Sequence, residues 1–121
     1  MPMITIRYVT PGSRPELRGR IAALASRLAA EKLGKDPKVT AVLVEAADPE
    51  GWFVAGKNPT GDGLSAFWLD IKITAGTNTK AETTAFIGAA YQEMAGLLGS
   101  LHEESYVLVH GVDGDAYGYG G

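Results

Sequence analysis

Met1-Pro2-Met3-Ile4-Thr5-Ile6-Arg7-Tyr8-Val9 opens the chain, and it alternates with a period of two. Ile4, Ile6 and Tyr8 fall on one side of an extended segment and Met3, Thr5 and Arg7 on the other, the pattern of a strand with one covered face. Pro11-Gly12 ends it. The same alternation returns at Phe67, Leu69, Ile71 and Ile73, set against Trp68, Asp70 and Lys72. Two half-buried strands in one short chain therefore frame whatever lies between and after them.

Each of these strands leads into the same succession of elements. Ser13-Arg14-Pro15-Glu16 reads as a capping box with proline in the first helical turn, ahead of Leu17, Ile21, Leu24, Ala25, Leu28 and Ala29 at helical spacing; Gly34 stops that helix. Thr79-Lys80-Ala81-Glu82 caps a second helix carrying Phe86, Ala89, Ala90, Met94 and Leu97, with Gly99 as its stop. Each helix runs into a short valine-rich strand, Thr40 to Glu45 after Asp36-Pro37 in the first case and Tyr106 to His110 in the second. Residues Asp48 to Ser65 hold Pro49, Gly51, Gly56, Pro59, Gly61 and Gly63, and read as a connection with a short hairpin around Trp52 to Ala55.

A shift of 65 residues lays Leu33-Gly34 on Leu98-Gly99, Val42-Leu43-Val44 on Val107-Leu108-Val109, Asp48 on Asp113, Trp52 on Tyr117 and Gly56 on Gly121. Matched element ends favour duplication. The expected fold is α+β: a single domain, 1–121, of two tandem βαβ units, 2–56 and 67–121, joined by a linker, 57–66. The two units form a four-stranded sheet with both helices on one face. Apolar side chains also fall in the other strand register, so the second sheet face needs a cover, and a trimer packing its sheets around an axis supplies one. The Gly-rich tail from Asp115 to Gly121 is suited to adding an edge strand to a neighbour.

Composition narrows the function. The chain has 121 residues, 45% hydrophobic and 21% charged, as in an ordinary soluble domain. A net charge of −3 without a lysine or arginine cluster argues against binding nucleic acid through phosphate neutralisation. The apolar runs are too short for a membrane span. The absence of cysteine removes disulfides, thiolate nucleophiles and Cys-type zinc sites, and fits a reducing compartment; with no signal-peptide pattern, the expectation is a cytoplasmic protein. His102 and His110 lack carboxylate spacing that reads as a metal site. Gly118 to Gly121 precedes no helix, so it cannot cradle a phosphate.

Pro2 carries the one chemical possibility that needs none of these groups. If Met1 is removed, Pro2 is a terminal secondary amine held by the strand behind it. Terminal amines titrate at about 7.7 to 8.0, and burial or a nearby cation lowers that further, so the nitrogen is readily unprotonated near neutral pH and can act as a base. With Met1 attached the same nitrogen is an amide without a basic lone pair.

The Pro-x-x-x-Ile start from Pro2 to Ile6, the two βαβ units, and Gly51-Trp52 and Ala116-Tyr117 followed by glycines together resemble the tautomerase superfamily. That superfamily includes 4-oxalocrotonate tautomerase, 5-carboxymethyl-2-hydroxymuconate isomerase and macrophage migration inhibitory factor. The likeness spans nearly the whole chain. It implies a cofactor-free enzyme without a metal, in which Pro2 is the general base moving a proton within a keto-enol pair. The substrate implied is a small anionic or aromatic enol or 2-oxo acid, and two units fused in one chain imply a homotrimer. Gly34-Lys35-Asp36-Pro37 looks like the turn of the migration inhibitory factor branch, which makes Lys35 the candidate cation. Tyr106 matches a tyrosine that a neighbouring subunit contributes there, and Trp52 the aromatic wall of the shorter enzymes. The arginines of the oxalocrotonate type fall at Gly12 or Ser13 and at Ala41, so neither is kept in place, and Arg14 is the nearest substitute for substrate binding. The shift puts Phe67, which has no amine, where Pro2 stands, so one site per chain is expected.

Related chemistries within the superfamily, dehalogenation, hydration or decarboxylation, use a proline held cationic. A non-catalytic binding module also fits the βαββαβ order, which ferredoxin-like domains share, and this reading gains if Met1 stays on.

Overall fold

The computed structural model describes residues 1–121. Strands β1 (Met3–Val9), β2 (Ala41–Ala46), β3 (Ala66–Thr74) and β4 (Tyr106–Val112) form one sheet in the order β2-β1-β3-β4, with helices α1 (Leu17–Leu33) and α2 (Lys80–Leu98) in the two crossovers. β1 pairs with β2 and β3 with β4 in parallel, while β1 and β3 meet antiparallel at the centre. This is the expected pair of βαβ units.

The registers of the two units are identical. Met3 pairs with Ala41 and Trp68 with Tyr106, positions that the 65-residue shift brings into correspondence. At the centre Thr5 faces Asp70, its own counterpart under that shift, so the pseudo-twofold axis relating the units passes between them. One consequence matters for the site. The start of β1 and the start of β3 lie at opposite ends of the sheet.

Alternation sorts the strands into two faces as the sequence requires. Ile4, Ile6 and Tyr8 of β1 and Phe67, Leu69, Ile71 and Ile73 of β3 point to the helices and are buried with Leu17, Ile21, Leu24, Ala25, Leu28, Ala29 and Leu33 of α1 and Phe86, Ala90, Met94 and Leu98 of α2. Both helices thus cover one face. On the other face Met3, Leu43, Trp68, Tyr106 and Leu108 stay 45% to 55% exposed. Thr5, Arg7, Asp70, Lys72 and His110 lie among them on this face, which no helix covers.

Local signals hold with one exception. Gly34 ends α1 in the left-handed conformation at φ 67°, the geometry that costs a residue without a β-carbon least. Thr79 and Glu82 close both arms of a capping box at the start of α2. The box expected at Ser13 does not form: α1 begins at Leu17, after a turn closed by Leu17 N–H donating to the Arg14 carbonyl, and no side chain caps its first turn. The physical reason is competition, because the Glu16 carboxylate takes the Arg14 guanidinium at 3.1 Å instead of reaching back to Ser13. The hairpin expected near Trp52 is one tight turn in which Val54 and Lys57 exchange both backbone hydrogen bonds around Ala55 and Gly56, each at positive φ. No helix is long and apolar enough to cross a membrane.

Candidate active site

Pro2 is fully buried at the start of β1, one of the two inner strands. Its carbonyl accepts a hydrogen bond from Ala41 N–H at 3.2 Å, so the residue continues the ladder with β2 and its ring cannot swing free. With Met1 in front of it the nitrogen is an amide; removal of Met1 makes it an amine at a fixed place.

Three connections meet at this end of the sheet. The turn after α1 brings Lys35, whose Nζ donates to Thr77 Oγ1 at 3.0 Å. Thr77 lies in the loop between β3 and α2 and donates in turn to the Thr74 carbonyl at 2.6 Å. Asn78 Nδ2 donates to the Leu33 carbonyl at 2.9 Å and ties that loop to the end of α1. Burial holds the Lys35 ammonium below its usual pKa, against the opposing pull of Glu82. Its neighbour Glu82 is held below the ordinary carboxylate value, first by the Thr79 backbone N–H and then by Asn78. The segment after β4 closes the group: Tyr117 Oη and Thr74 Oγ1 share a hydrogen bond of 2.5 Å.

Of the residues singled out from sequence, Pro2 and Lys35 come to this end and the other three do not. Tyr106 opens β4 beside Trp68, on the exposed face near the end of β1. Its hydroxyl is bonded to Glu104, and that contact raises its pKa. Trp52 is buried against Val9 and Ala66, with its ring 4.7 Å from that of Trp68, and its indole Nε1 has no acceptor. Arg14 is committed to Glu16 and, through Nη1, to the Leu97 carbonyl at 3.0 Å. The last contact mirrors Asn78 on Leu33: each helix has its final turn held by the loop that leads into the other helix. A cavity of about 670 Å³ lies at this far end, lined among others by Thr10, Ser13, Arg14, Arg18, Asp48 and Glu50. It is a wide opening between charged side chains, at the opposite end of the sheet from Pro2.

The polar pair that sequence reading passed over is Thr74 with Tyr117. Its only trace in the sequence is the match of Tyr117 to Trp52 and of Thr74 to Val9 under the same shift.

No family model matches the chain. A protein named probable tautomerase from Dickeya dadantii (strain 3937) is 28% identical over 60 residues, which cover 50% of this chain and 90% of that protein; the relative is about as long as one βαβ unit. Among solved structures, a wild-type fused 4-OT described as a symmetric trimer superposes with a TM-score of 0.81 at 16% identity, over 98% of this chain and 91% of that one. A macrophage migration inhibitory factor-like protein from Entamoeba histolytica gives 0.77 at 19% identity, over 98% and 94%. A malonate semialdehyde decarboxylase inhibited by 3-bromopropiolate gives 0.74 at 20% identity, over 98% and 89%. The sequence match and these folds agree with each other, and together they indicate the tautomerase superfamily, whose fold this chain has.

Proposed function

We propose that this chain, once Met1 is removed, is a cofactor-free keto-enol tautomerase that uses the Pro2 nitrogen as general base on a small anionic or aromatic enol or 2-oxo acid. The observation that carries the reading is the placement of Pro2. It is fully buried on an inner strand, hydrogen-bonded through its carbonyl, at the sheet end where Lys35 also arrives.

The chemistry rests on that placement. The unprotonated nitrogen takes a proton from the carbon beside the substrate carbonyl; the C–H electron pair becomes the new C=C bond, and the carbonyl π pair moves onto oxygen. The enolate charge needs a cation or donor at that oxygen, and Lys35 supplies the charge at this end. A cation there also disfavours the protonated amine, which keeps the Pro2 nitrogen unprotonated and able to accept a proton. The proton then returns from nitrogen to oxygen or carbon, so no other reagent is consumed.

Tyr106, Trp52 and Arg14 sit at the end of the sheet away from their own Pro2. They reach a Pro2 only if a neighbouring subunit docks head to tail, its far end against the Pro2 end of the first, an arrangement that closes into a ring. The uncovered sheet face, with Met3, Leu43, Trp68, Tyr106 and Leu108 half-exposed, supports such a homotrimer, and the fused 4-OT it superposes on is described as a symmetric trimer. In that ring Tyr106 donates to the substrate, Trp52 walls it, and Arg14 exchanges part of its present bonding for the substrate carboxylate.

The test is direct. Protein purified without a tag is weighed for loss of Met1, then assayed for ketonisation of phenylenolpyruvate before and after Pro2→Ala. The base role predicts a fall in kcat of about 10²- to 10⁴-fold and covalent capture of Pro2 by 3-bromopropiolate. Turnover unchanged in Pro2→Ala removes the mechanism, and a mass that retains Met1 turns the reading to a binding protein. A second reading draws on the likeness to a malonate semialdehyde decarboxylase: the same nitrogen, held protonated, would serve decarboxylation, and a rate that grows as pH falls through the proline titration separates it from the tautomerase.

A further inference from the structure

The two ends of the sheet differ at one matched set of positions. At the far end Trp52 lies on Val9 and on Ala66, the residue just before Phe67. The 65-residue shift carries that trio to Tyr117, Thr74 and Met1, the residue just before Pro2. The apolar contact of Trp52 on Val9 thus becomes a contact between two hydroxyls, Tyr117 Oη and Thr74 Oγ1 at 2.5 Å. The change from apolar to polar occurs only at the end that holds the proline.

The pair lies at the end of the sheet that holds Pro2. Met3 faces Lys72 in the last pair of the antiparallel ladder, and Thr74 is two residues further along β3, so continuing that register past Met3 would set Thr74 across from Met1. On the other side of Thr74 the chain leaving β4 passes close by. Ala75 N–H donates to the Val112 carbonyl at 2.8 Å, and a β-carbon on Gly114 would lie 3.8 Å from the Thr74 methyl. A turn closed by Ala116 N–H on the Asp113 carbonyl brings Tyr117 back over the strand, where it is half-buried. Thr74 is held from its backbone as well, since Thr77, itself bonded to Lys35, donates to its carbonyl.

We infer that Tyr117 is the hydrogen-bond donor to the substrate oxygen at the Pro2 site and that Thr74 is its positioning residue. This rests on the reading of Pro2 as the base. When Thr74 Oγ1 donates to Tyr117 Oη, the tyrosine O–H is left free to turn toward the enolate oxygen that forms beside Pro2. The tyrosine keeps its proton; it supplies a hydrogen bond to the developing charge, strengthened by the one it accepts. The site would then be completed from within one chain on the donor side, and a substrate whose reacting oxygen lies next to the base would be preferred.

The test uses the processed full chain and phenylenolpyruvate as probe, with capture of Pro2 by 3-bromopropiolate as a readout independent of turnover. Tyr117→Phe is expected to lower kcat about 10²-fold, to leave KM within a few-fold, and to keep Pro2 open to capture. Thr74→Val is expected to give a smaller loss, and the double variant no more loss than Tyr117→Phe alone. Wild-type kcat in Tyr117→Phe, or losses in the two single variants that multiply in the double one, overturns the inference. Should Tyr117→Phe fail to fold, Thr74→Val decides alone, and an unchanged kcat there overturns it. Failure of the underlying reading looks different: Pro2→Ala then keeps wild-type turnover, whereas failure of this inference leaves Pro2→Ala inactive and Tyr117→Phe active.

Discussion

The two ends of this sheet are built on one plan and filled differently. At the start of β3 the plan is filled for stability. Phe67 is buried with its ring 5.7 Å from Tyr91, its N–H donates to Ser105 Oγ, and Trp52 seals the outer face against Val9 and Ala66. At the start of β1 the same positions carry a proline, a threonine and a tyrosine whose hydroxyl is bonded, with a lysine brought in by the turn after α1. Phe67 follows an internal peptide bond and offers no amine; Pro2 offers one only under the proposal that Met1 is removed.

That contrast can be broken by substitution. Phe67→Ala should cost about 3–5 kcal/mol of folding stability, read as a fall in the denaturation midpoint, because it empties the core at the structural end. Pro2→Ala should leave stability nearly unchanged and strike turnover instead. A Phe67→Ala protein as stable as the parent would mean that the packing at the start of β3 does not hold the fold together.

The helix starts differ in the same way and by less. Thr79→Ala should cost about 1 kcal/mol through loss of the capping box, whereas Ser13→Ala should stay within about 0.5 kcal/mol, since Ser13 caps nothing. Equal losses in the two variants would show that Ser13 caps in solution.

The smallest effect is on acid stability. The Glu82 carboxyl is lowered from 4.5, chiefly by the Thr79 N–H. Its folded value lies below its unfolded one, so its contribution is full above the unfolded value and fades as pH falls through the folded value. Glu82→Gln should therefore flatten that part of the stability profile below about pH 4.5. A profile identical to the parent's would place the acid dependence elsewhere.

Much of the fold is legible in the sequence. Leu17, Ile21, Leu24, Ala25, Leu28 and Ala29 read as one helical face and are buried as one; the strand alternation of β1 and β3 names the core residues directly. Those signals are local, and each residue repeats the message of its neighbours. The Ser13 box misleads because a motif of four residues does not say which partner Glu16 will take, and Arg14, two positions away, is nearer. For the candidate site, Pro2 is singled out by its place before the first strand and Lys35 by the likeness of its turn to a family pattern, and the fold brings both to one end of the sheet. The separation of Arg14, Trp52 and Tyr106 from them cannot, because it depends on the antiparallel meeting of β1 and β3.

The amino-acid order by itself determined the elements, their amphipathic faces and the repeated unit, because period and end signals act over a few residues at a time. Only the tertiary structure decided which element ends share a neighbourhood. The central pairing sets β1 and β3 head to tail, and so brings Lys35, Thr74 and Tyr117 to the end of the sheet that holds Pro2 while carrying the other candidates to the opposite end. Register between strands distant in the chain is a property of the packed sheet, and no short stretch of sequence holds it.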